Sequence, residues 1–402
     1  MHDLSWCRQN MLRTTAWSDV RGSVSLPIRS AIDKVLDTHD GACLTREECL
    51  LLAHATGDDL FGLVVAANQL RRQLVGDTVT YVVTRNINFT NVCIVGCKFC
   101  AFAVGPRHET AYFLSLEEIA EKVREAARWG ATEVCIQGGL PRDLPPFYYR
   151  DILRAVKASV PTMHCHAFSP MEMLYGVELT GMPVREYLLM LKDAGLNTLP
   201  GTAAEILDDD VRHVLSRNKL NVAEWREIIE TAHECGIRST STMMYGHSET
   251  PEQWVNQLLL LREIQSRTGG FTEFVPLGFI HNNTLLFEQG LARAGATLEE
   301  HMKVHALARV MLAGSIDHVQ VSWVKLGRGV SQLALLAGAD DYGGTLFEEN
   351  ISRLAGAGFG QYVSSEEFQE RILELGRIPA QRNTTYTKLT YPQPPLATGS
   401  AA

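Results

Sequence analysis

The chain predicts an α/β fold, a (β/α)8 barrel of the TIM type with a helical segment before it and a helical extension after it. Three observations carry this. Across residues 77–350, eight runs rich in β-branched and aromatic residues alternate with stretches whose apolar residues recur at helical spacing. Gly130, Gly195 and Gly236 each stand between a helix and the strand after it, where a left-handed residue ends a helix. No Gly-x-Gly-x-x-Gly follows the first strand, which argues against an open dinucleotide-binding sheet.

Residues 1–25 are polar and mixed and are expected to be poorly ordered. Residues 26–76 read as a helical lid or cap. Thr45 with Glu48 has capping-box spacing, and residues 60–74 carry apolar side chains at helical intervals. The barrel follows over 77–350. Val79–Thr84 is its first strand, β-branched and aromatic. Ser115 with Glu118 opens a helix whose face is Ile119, Val123 and Ala127, and 132–137 is the next strand. Helices over 149–158 and 184–194 lead to strands at 162–168 and 196–199. Asn221 with Glu224 caps a helix ahead of a strand at 237–244. Thr250-Pro-Glu-Gln253 starts another helix, with proline in its first turn, ahead of a strand at 271–277. Residues 298–312 lead to a strand at 318–324, and 330–336 to a short last one at 340–342. Ser364-Ser-Glu-Glu367 caps a helix in a C-terminal extension, 351–390, and 391–402 reads as a loose tail.

Of 402 residues, 46% are hydrophobic and 21% charged, a globular composition. Thirty-seven basic side chains against 46 acidic ones give a net charge of −9, which argues against nucleic acid as a partner. No apolar run is long enough for a membrane span and no signal pattern opens the chain. Nine cysteines, odd in number and mostly scattered, do not resemble a secreted disulfide framework. A reducing cytoplasm is the expected compartment.

The cysteines that do cluster are Cys93-Ile-Val-Gly-Cys97-Lys-Phe-Cys100. Thiolates suit zinc or an iron–sulfur cluster. The next cysteine, Cys135, lies a helix and a strand away. Three ligands on a four-iron core would leave one iron open to a small molecule. The alternative is a structural zinc with a distant fourth ligand.

Barrel enzymes carry their reacting groups at the C-terminal ends of the strands, and that rule selects the remaining candidates. Gly138 and Gly139 end the second strand and allow a ligand close to the backbone. His164 and His166 share one face of the third strand, and His166 is a candidate for proton transfer to substrate. Glu172 follows, within reach of a polar substrate. Glu205, after the fourth strand, can accept from ribose hydroxyls or an amine, and Arg217 can fork onto a carboxylate. Tyr245-Gly-His247 and His281 stand where the cavity mouth should be. Gln320 and Ser322 share a face of the seventh strand, with Trp323 pointing away into the core. Gly343-Gly344 is either an anion cradle or the turn that closes the barrel.

The Cys-x3-Cys-x2-Cys spacing, with an aromatic before the last cysteine, resembles the radical S-adenosylmethionine (SAM) enzymes. That resemblance implies a 4Fe–4S cluster on Cys93, Cys97 and Cys100 whose open iron chelates the methionyl group of SAM. Cleavage of the sulfonium then gives a 5′-deoxyadenosyl radical. It also implies that Gly138 and Gly139 meet the methionyl amine.

Longer segments are similar to the second-subunit family of 7,8-didemethyl-8-hydroxy-5-deazariboflavin (FO) synthase. They are 81–91 with the cysteines, His166-Ala-Phe-Ser-Pro-Met-Glu172, 199–207, Gly269-Gly-Phe-Thr-Glu-Phe-Val-Pro276, Gln320-Val-Ser-Trp-Val-Lys-Leu326, 343–346 and Arg382-Asn-Thr-Thr-Tyr386. Several of these are shared with the aminofutalosine synthases of menaquinone biosynthesis. The resemblance implies transfer of a 4-hydroxybenzyl group from L-tyrosine to 5-amino-6-(D-ribitylamino)uracil on the way to coenzyme F420. The implied partners are a separate ring-closing radical SAM enzyme, since only one cysteine triad is present, and a reductant such as ferredoxin or flavodoxin. The alternatives are an aminofutalosine-type synthase and, in another class, a zinc or electron-transfer protein. One segment departs from the family: His281-Asn-Asn-Thr-Leu-Leu-Phe287 stands where His-x-x-Ala-Pro-Leu-Tyr is usual.

Overall fold

Side-chain caps set the helix starts. Thr45, Ser115, Asn221 and Thr297 each accept a hydrogen bond from the backbone N–H three residues on, and Glu48, Glu118, Glu224 and Glu300 bond back to the cap residue. Ser169 and Glu172 do the same at the helix Pro170–Thr180. The structure, a computed structural model, describes residues 9–392.

The strands are β1 (Thr78–Val82), β2 (Thr84–Ile87), β3 (Glu133–Ile136), β4 (His164–Ala167), β5 (Thr198–Leu199), β6 (Arg238–Tyr245), β7 (Phe271–Gly278), β8 (Asp341–Gly344), β9 (Ile378–Arg382) and β10 (Leu389–Thr390). β2 through β7 form one curved sheet in chain order, all parallel. Bridges Phe274↔Val319 and Gln320↔Asp341 carry the ring on to β8. β8 pairs with β1, which runs into β2 through Val83. Eight strand positions thus close a (β/α)8 barrel.

The seventh position is shorter than expected. Only Val319 and Gln320 bridge, and Trp323 already opens a helix, Trp323–Leu336, kinked at Gly327. Trp323 is 1% exposed and donates its indole N–H to the Gly344 carbonyl at 2.9 Å, so it is core.

The N-terminal helices Leu26–Thr38, Arg46–Ala53 and Gly57–Val75, expected as a lid or cap, pack on the outside of the barrel. Gly57–Val75 packs on the outer barrel helix Leu298–Leu312. A Cβ at Gly41 would lie 2.4 Å from the Met311 carbonyl oxygen, so the two layers touch at backbone distance. Residues 9–25, expected to be loose, carry helices Gln9–Thr14 and Trp17–Val20, with Leu12, Trp17 and Val24 buried. Burying those three side chains is what orders a polar stretch. Residues 1–8, from the same stretch, and most of the expected loose tail, 393–402, lie outside the described residues.

The C-terminal extension enters the barrel. β9 pairs in parallel with β1, Thr78↔Ile378 to Tyr81↔Gln381, and β10 folds back on β9. Among the described residues no single helix is long and apolar enough to cross a membrane, and all the described cysteines are free.

Candidate active site

The barrel encloses a cavity of about 430 Å³ that runs from the cysteine loop to the starts of the strands. Cys93, Cys97 and Cys100 all line it. Backbone bonds pin their loop: Ile94 N–H to the Leu140 carbonyl at 2.9 Å, Cys93 N–H to Val104 at 3.1 Å and Lys98 N–H to Leu215 at 2.9 Å. Gly96 turns the loop at φ 73°. Burial pushes the Cys97 thiol up to about 11 and raises Cys100, so these sulfurs become thiolates only against added positive charge, which a metal core supplies. Among the described residues no three His, Cys, Asp or Glu side chains converge as ligands of a single ion would. A cubane takes each thiolate on a separate iron and does not require that convergence. Three soft thiol donors at one cavity wall suit such a core.

Gly138 and Gly139 line the cavity beside this loop. A Cβ on Gly139 would lie 2.2 Å from the Val92 carbonyl oxygen and 3.0 Å from the Cys93 Cβ; one on Gly138 would strike the Phe89 ring at 2.5 Å. Only glycine lets this turn lie against the cysteine loop. Glu172 holds the turn from below. One carboxylate oxygen accepts from Gly138 N–H at 3.0 Å, and the other from Ser169 N–H at 2.6 Å and the Ser169 hydroxyl at 2.7 Å. It is 1% exposed, and burial lifts its carboxyl to about 7. Both oxygens already serve protein donors, so Glu172, expected as a catalytic group, caps its helix and braces the glycine turn where it lines the cavity.

Glu205 lines the cavity from the loop after β5, and both it and Ala203 lie in the left-handed region, φ 40° and 61°. Such backbone is held only by its surroundings. Arg212 does the holding: its guanidinium donates to the carbonyls of Ala203 (3.0 Å), Ala204 (2.6 Å) and Leu220 (2.6 Å). Lys219 completes the group. Its ammonium bonds Glu205 at 2.6 Å and sits 5.2 Å from the centroid of the Phe99 ring, between two of the cysteines. Burial works to lower the Lys219 ammonium, but the charge and hydrogen bond of Glu205 together with Cys97 outweigh it and leave it raised.

Arg217 and His281 do not join the site. Arg217 is exposed and His281 packs edge-on against Phe287 at 4.5 Å; neither lines the cavity. Lys219, two residues after Arg217, takes the cationic place instead. Tyr245 and His247 are also structural: Tyr245 bonds His301 at 2.7 Å and His247 faces Glu249 at 3.2 Å.

Deeper in, the cavity becomes polar. His166 lines it, 8% exposed, bonded through Nδ1 to the Thr198 hydroxyl at 2.8 Å; burial lowers it, so the ring is neutral. His164 bonds the same hydroxyl at 2.8 Å from outside the cavity lining. Gln320 and Ser322 do line it together. The C-terminal extension supplies the floor. Arg382 donates to Asp341 at 2.5 and 3.1 Å and to Glu273 at 3.0 Å. Thr384 donates to Glu133, and the Tyr386 hydroxyl to Glu273. Tyr386 stacks on His318 at 3.7 Å, with the Arg382 guanidinium 4.2 Å from its centroid. Burial raises Glu273 to about 7 against the pull of Arg382. None of this floor was singled out from spacing, because its carboxylates stand at 133, 273 and 341 and their partners 41 to 251 residues further on; only the motifs shared with a family pass through it.

A closed parallel barrel with a glycine-braced triad of thiols at its cavity is the architecture of a radical SAM protein, and the comparisons agree. Residues 87–261 match the Radical SAM superfamily and residues 268–394 the CofH/MqnC C-terminal region. The fold is that of methylornithine synthase (TM-score 0.67, 18% identity, 87% of this chain and 97% of that one) and of HydG, a maturase of the [FeFe]-hydrogenase (TM-score 0.70, 14% identity, 92% and 79%). The chain is 48% identical over 362 residues, 90% of its length, to the 5-amino-6-(D-ribitylamino)uracil–L-tyrosine 4-hydroxyphenyl transferase of Methanothermobacter thermautotrophicus, 99% of which is covered. It belongs to that transferase's family. It is also 51% identical to the FO synthase of Mycobacterium leprae over 386 residues, 96% of this chain and 43% of that protein. It thus spans about two fifths of the FO synthases it matches, as with the 54% identical enzyme of Mycobacterium tuberculosis, of which 40% is covered.

Proposed function

We propose that the protein breaks the Cα–Cβ bond of L-tyrosine and joins the 4-hydroxybenzyl group to C5 of 5-amino-6-(D-ribitylamino)uracil, releasing 2-iminoacetate. The observation that carries this is the polarity of one cavity. Soft sulfur donors and a two-glycine turn stand at one end, and a floor of carboxylates, hydroxyls and an arginine at the other. A ribityl chain and a diaminouracil offer the donors and acceptors that such a floor needs. The relatives' names supply the two substrates.

Cys93, Cys97 and Cys100 would hold a 4Fe–4S cluster, and Gly138, Gly139, Glu205 and Lys219 the SAM beside it. When bound, this pair supplies the 5′-deoxyadenosyl radical that takes hydrogen from the tyrosine amine. The chain's own contribution is placement. The barrel wall excludes water, Glu172 and Arg212 fix the two loops that face the cofactor, and neutral His166 sits at the polar end as a proton carrier. Holding the reactants at near-attack distance contributes about 7–11 kcal/mol in such systems. A ring-closing radical SAM activity and a small reductant protein in a reducing cytoplasm complete the proposal.

Anaerobic turnover with ring-labelled tyrosine and the ribityl diaminouracil, read by mass spectrometry, tests it. Labelled adduct and tyrosine-dependent 5′-deoxyadenosine are expected. Formation of 5′-deoxyadenosine with an enolpyruvyl ether of benzoate and not with tyrosine would move the protein to the aminofutalosine branch.

A further inference from the structure

Three side chains with a lysine or arginine charge line the cavity: Lys219, Lys325 and Arg382. Two are occupied. Lys219 is paired with Glu205 at 2.6 Å, and Arg382 with Asp341 and Glu273. Lys325 makes no ion pair and no hydrogen bond through its ammonium to any described residue. Its nearest influence is Glu349, which acts on it from beyond ion-pair reach and whose two oxygens accept from Ser352 N–H at 3.0 and 3.1 Å. Burial lowers the Lys325 ammonium, as expected of a cation without a partner.

Lys325 is half-buried, and a cation that lines a cavity and is left unpaired gains when an anion joins it. Lys325 lies in the first turn of Trp323–Leu336, held by its N–H on the Ser322 carbonyl at 3.0 Å. The same segment brings Gln320 and Ser322 to the cavity. This wall is three strand positions around the ring from the loop of Glu205 and Lys219, so the two ammonium groups serve different parts of the cavity. The residue is thus an unpaired positive charge on a backbone-anchored position, facing a space sized for small molecules.

We propose that Lys325 seats the α-carboxylate of the amino-acid substrate, which rests on the reading that this substrate is L-tyrosine. The carboxylate belongs to the fragment that leaves as 2-iminoacetate, whereas the 4-hydroxybenzyl group must move to the second substrate. An anchor on the carboxylate holds the stationary half and leaves the migrating half free. It also fixes Cα, and with it the amine, relative to the cofactor end. A charge-assisted bond of this kind is among the stronger polar contacts available in a buried site.

The test is K325M, with K325Q as a second variant, in anaerobically reconstituted protein whose iron content and melting temperature match wild type. KM is measured for tyrosine, SAM and the ribityl diaminouracil in turn, and equilibrium binding for tyrosine and for tyramine, which lacks the carboxylate. The expected result is a tyrosine KM raised roughly 30-fold or more, the other two within about 3-fold, and tyramine bound equally by wild type and variant. K325R, which keeps the charge, restores part of the loss. An unchanged tyrosine KM, or a rise confined to SAM or to the uracil, overturns the assignment. Wild-type protein that transfers nothing from tyrosine would instead overturn the functional reading, before Lys325 enters.

Discussion

Replacing Arg382 with methionine tests whether the C-terminal extension is part of the barrel's electrostatics or merely leans on it. Arg382 is 3% exposed and satisfies Asp341, 0% exposed, and Glu273, 4% exposed. Methionine fills much of the volume but leaves two buried carboxylates without their cation. Breaking a buried pair by removing one partner costs about 3–5 kcal/mol. With an unfolding entropy of about 2 cal/mol/K per residue, this chain has about 0.8 kcal/mol/K in all, so the melting temperature should fall by about 4–6 °C. The effect carries a pH signature. The Glu273 carboxyl already lies near 7, above its ordinary value of 4.5, so its contribution is complete below that ordinary value and is lost as pH rises through about 7. Without Arg382 the carboxyl moves further up, and the deficit of R382M should widen from pH 5.5 to pH 8. Thermal unfolding followed by circular dichroism at both pH values measures this. A melt within about 1 °C of wild type at pH 8, or a deficit equal at the two pH values, refutes the reasoning.

Three further outcomes follow from the same geometry. Alanine at Cys93, Cys97 or Cys100 should abolish iron–sulfide incorporation and 5′-deoxyadenosine formation, whereas Cys135→Ser, in the same cavity, should keep wild-type iron; iron analysis and product assay decide. Gly139→Ala puts a Cβ 2.2 Å from the Val92 carbonyl oxygen and must displace the cysteine loop, so cluster content should drop while far-ultraviolet circular dichroism stays native. Asp340 is buried, which would raise its carboxyl, but His318 and Arg309 outweigh that and hold it down at about 2. Its contribution is therefore present above its ordinary value of 3.8 and lost as pH falls through about 2. Asp340→Asn should cost about 3 kcal/mol at pH 7 in urea unfolding, with a gap that closes toward pH 2.

Much of the architecture was legible because it is written locally. Strand runs, helix caps and terminating glycines are all set within a few residues, and Ser169-x-x-Glu172 is the same cap spacing as Ser115-x-x-Glu118. That spacing was the available signal that Glu172 braces a helix. The choice of Arg217 over Lys219 had no such signal, since either could face inward from an irregular loop. The seventh strand was overextended because Val-Gln-Val-Ser-Trp-Val has strand composition, while the structure ends the strand at Gln320 and turns Trp323 into the core as the start of a helix.

By itself the sequence determined the order of β and α units, the triad of thiols on one short loop and the glycines beside it, since each depends on neighbours along the chain. Tertiary structure alone decided the polar end of the cavity. Arg382, Glu273 and Asp341 meet only because the ring closes and β9 pairs with β1, and whether Lys325 keeps or lacks an anion depends on every wall around it. Charges act through space, and distance along a chain carries little of that information until the chain has folded back on itself.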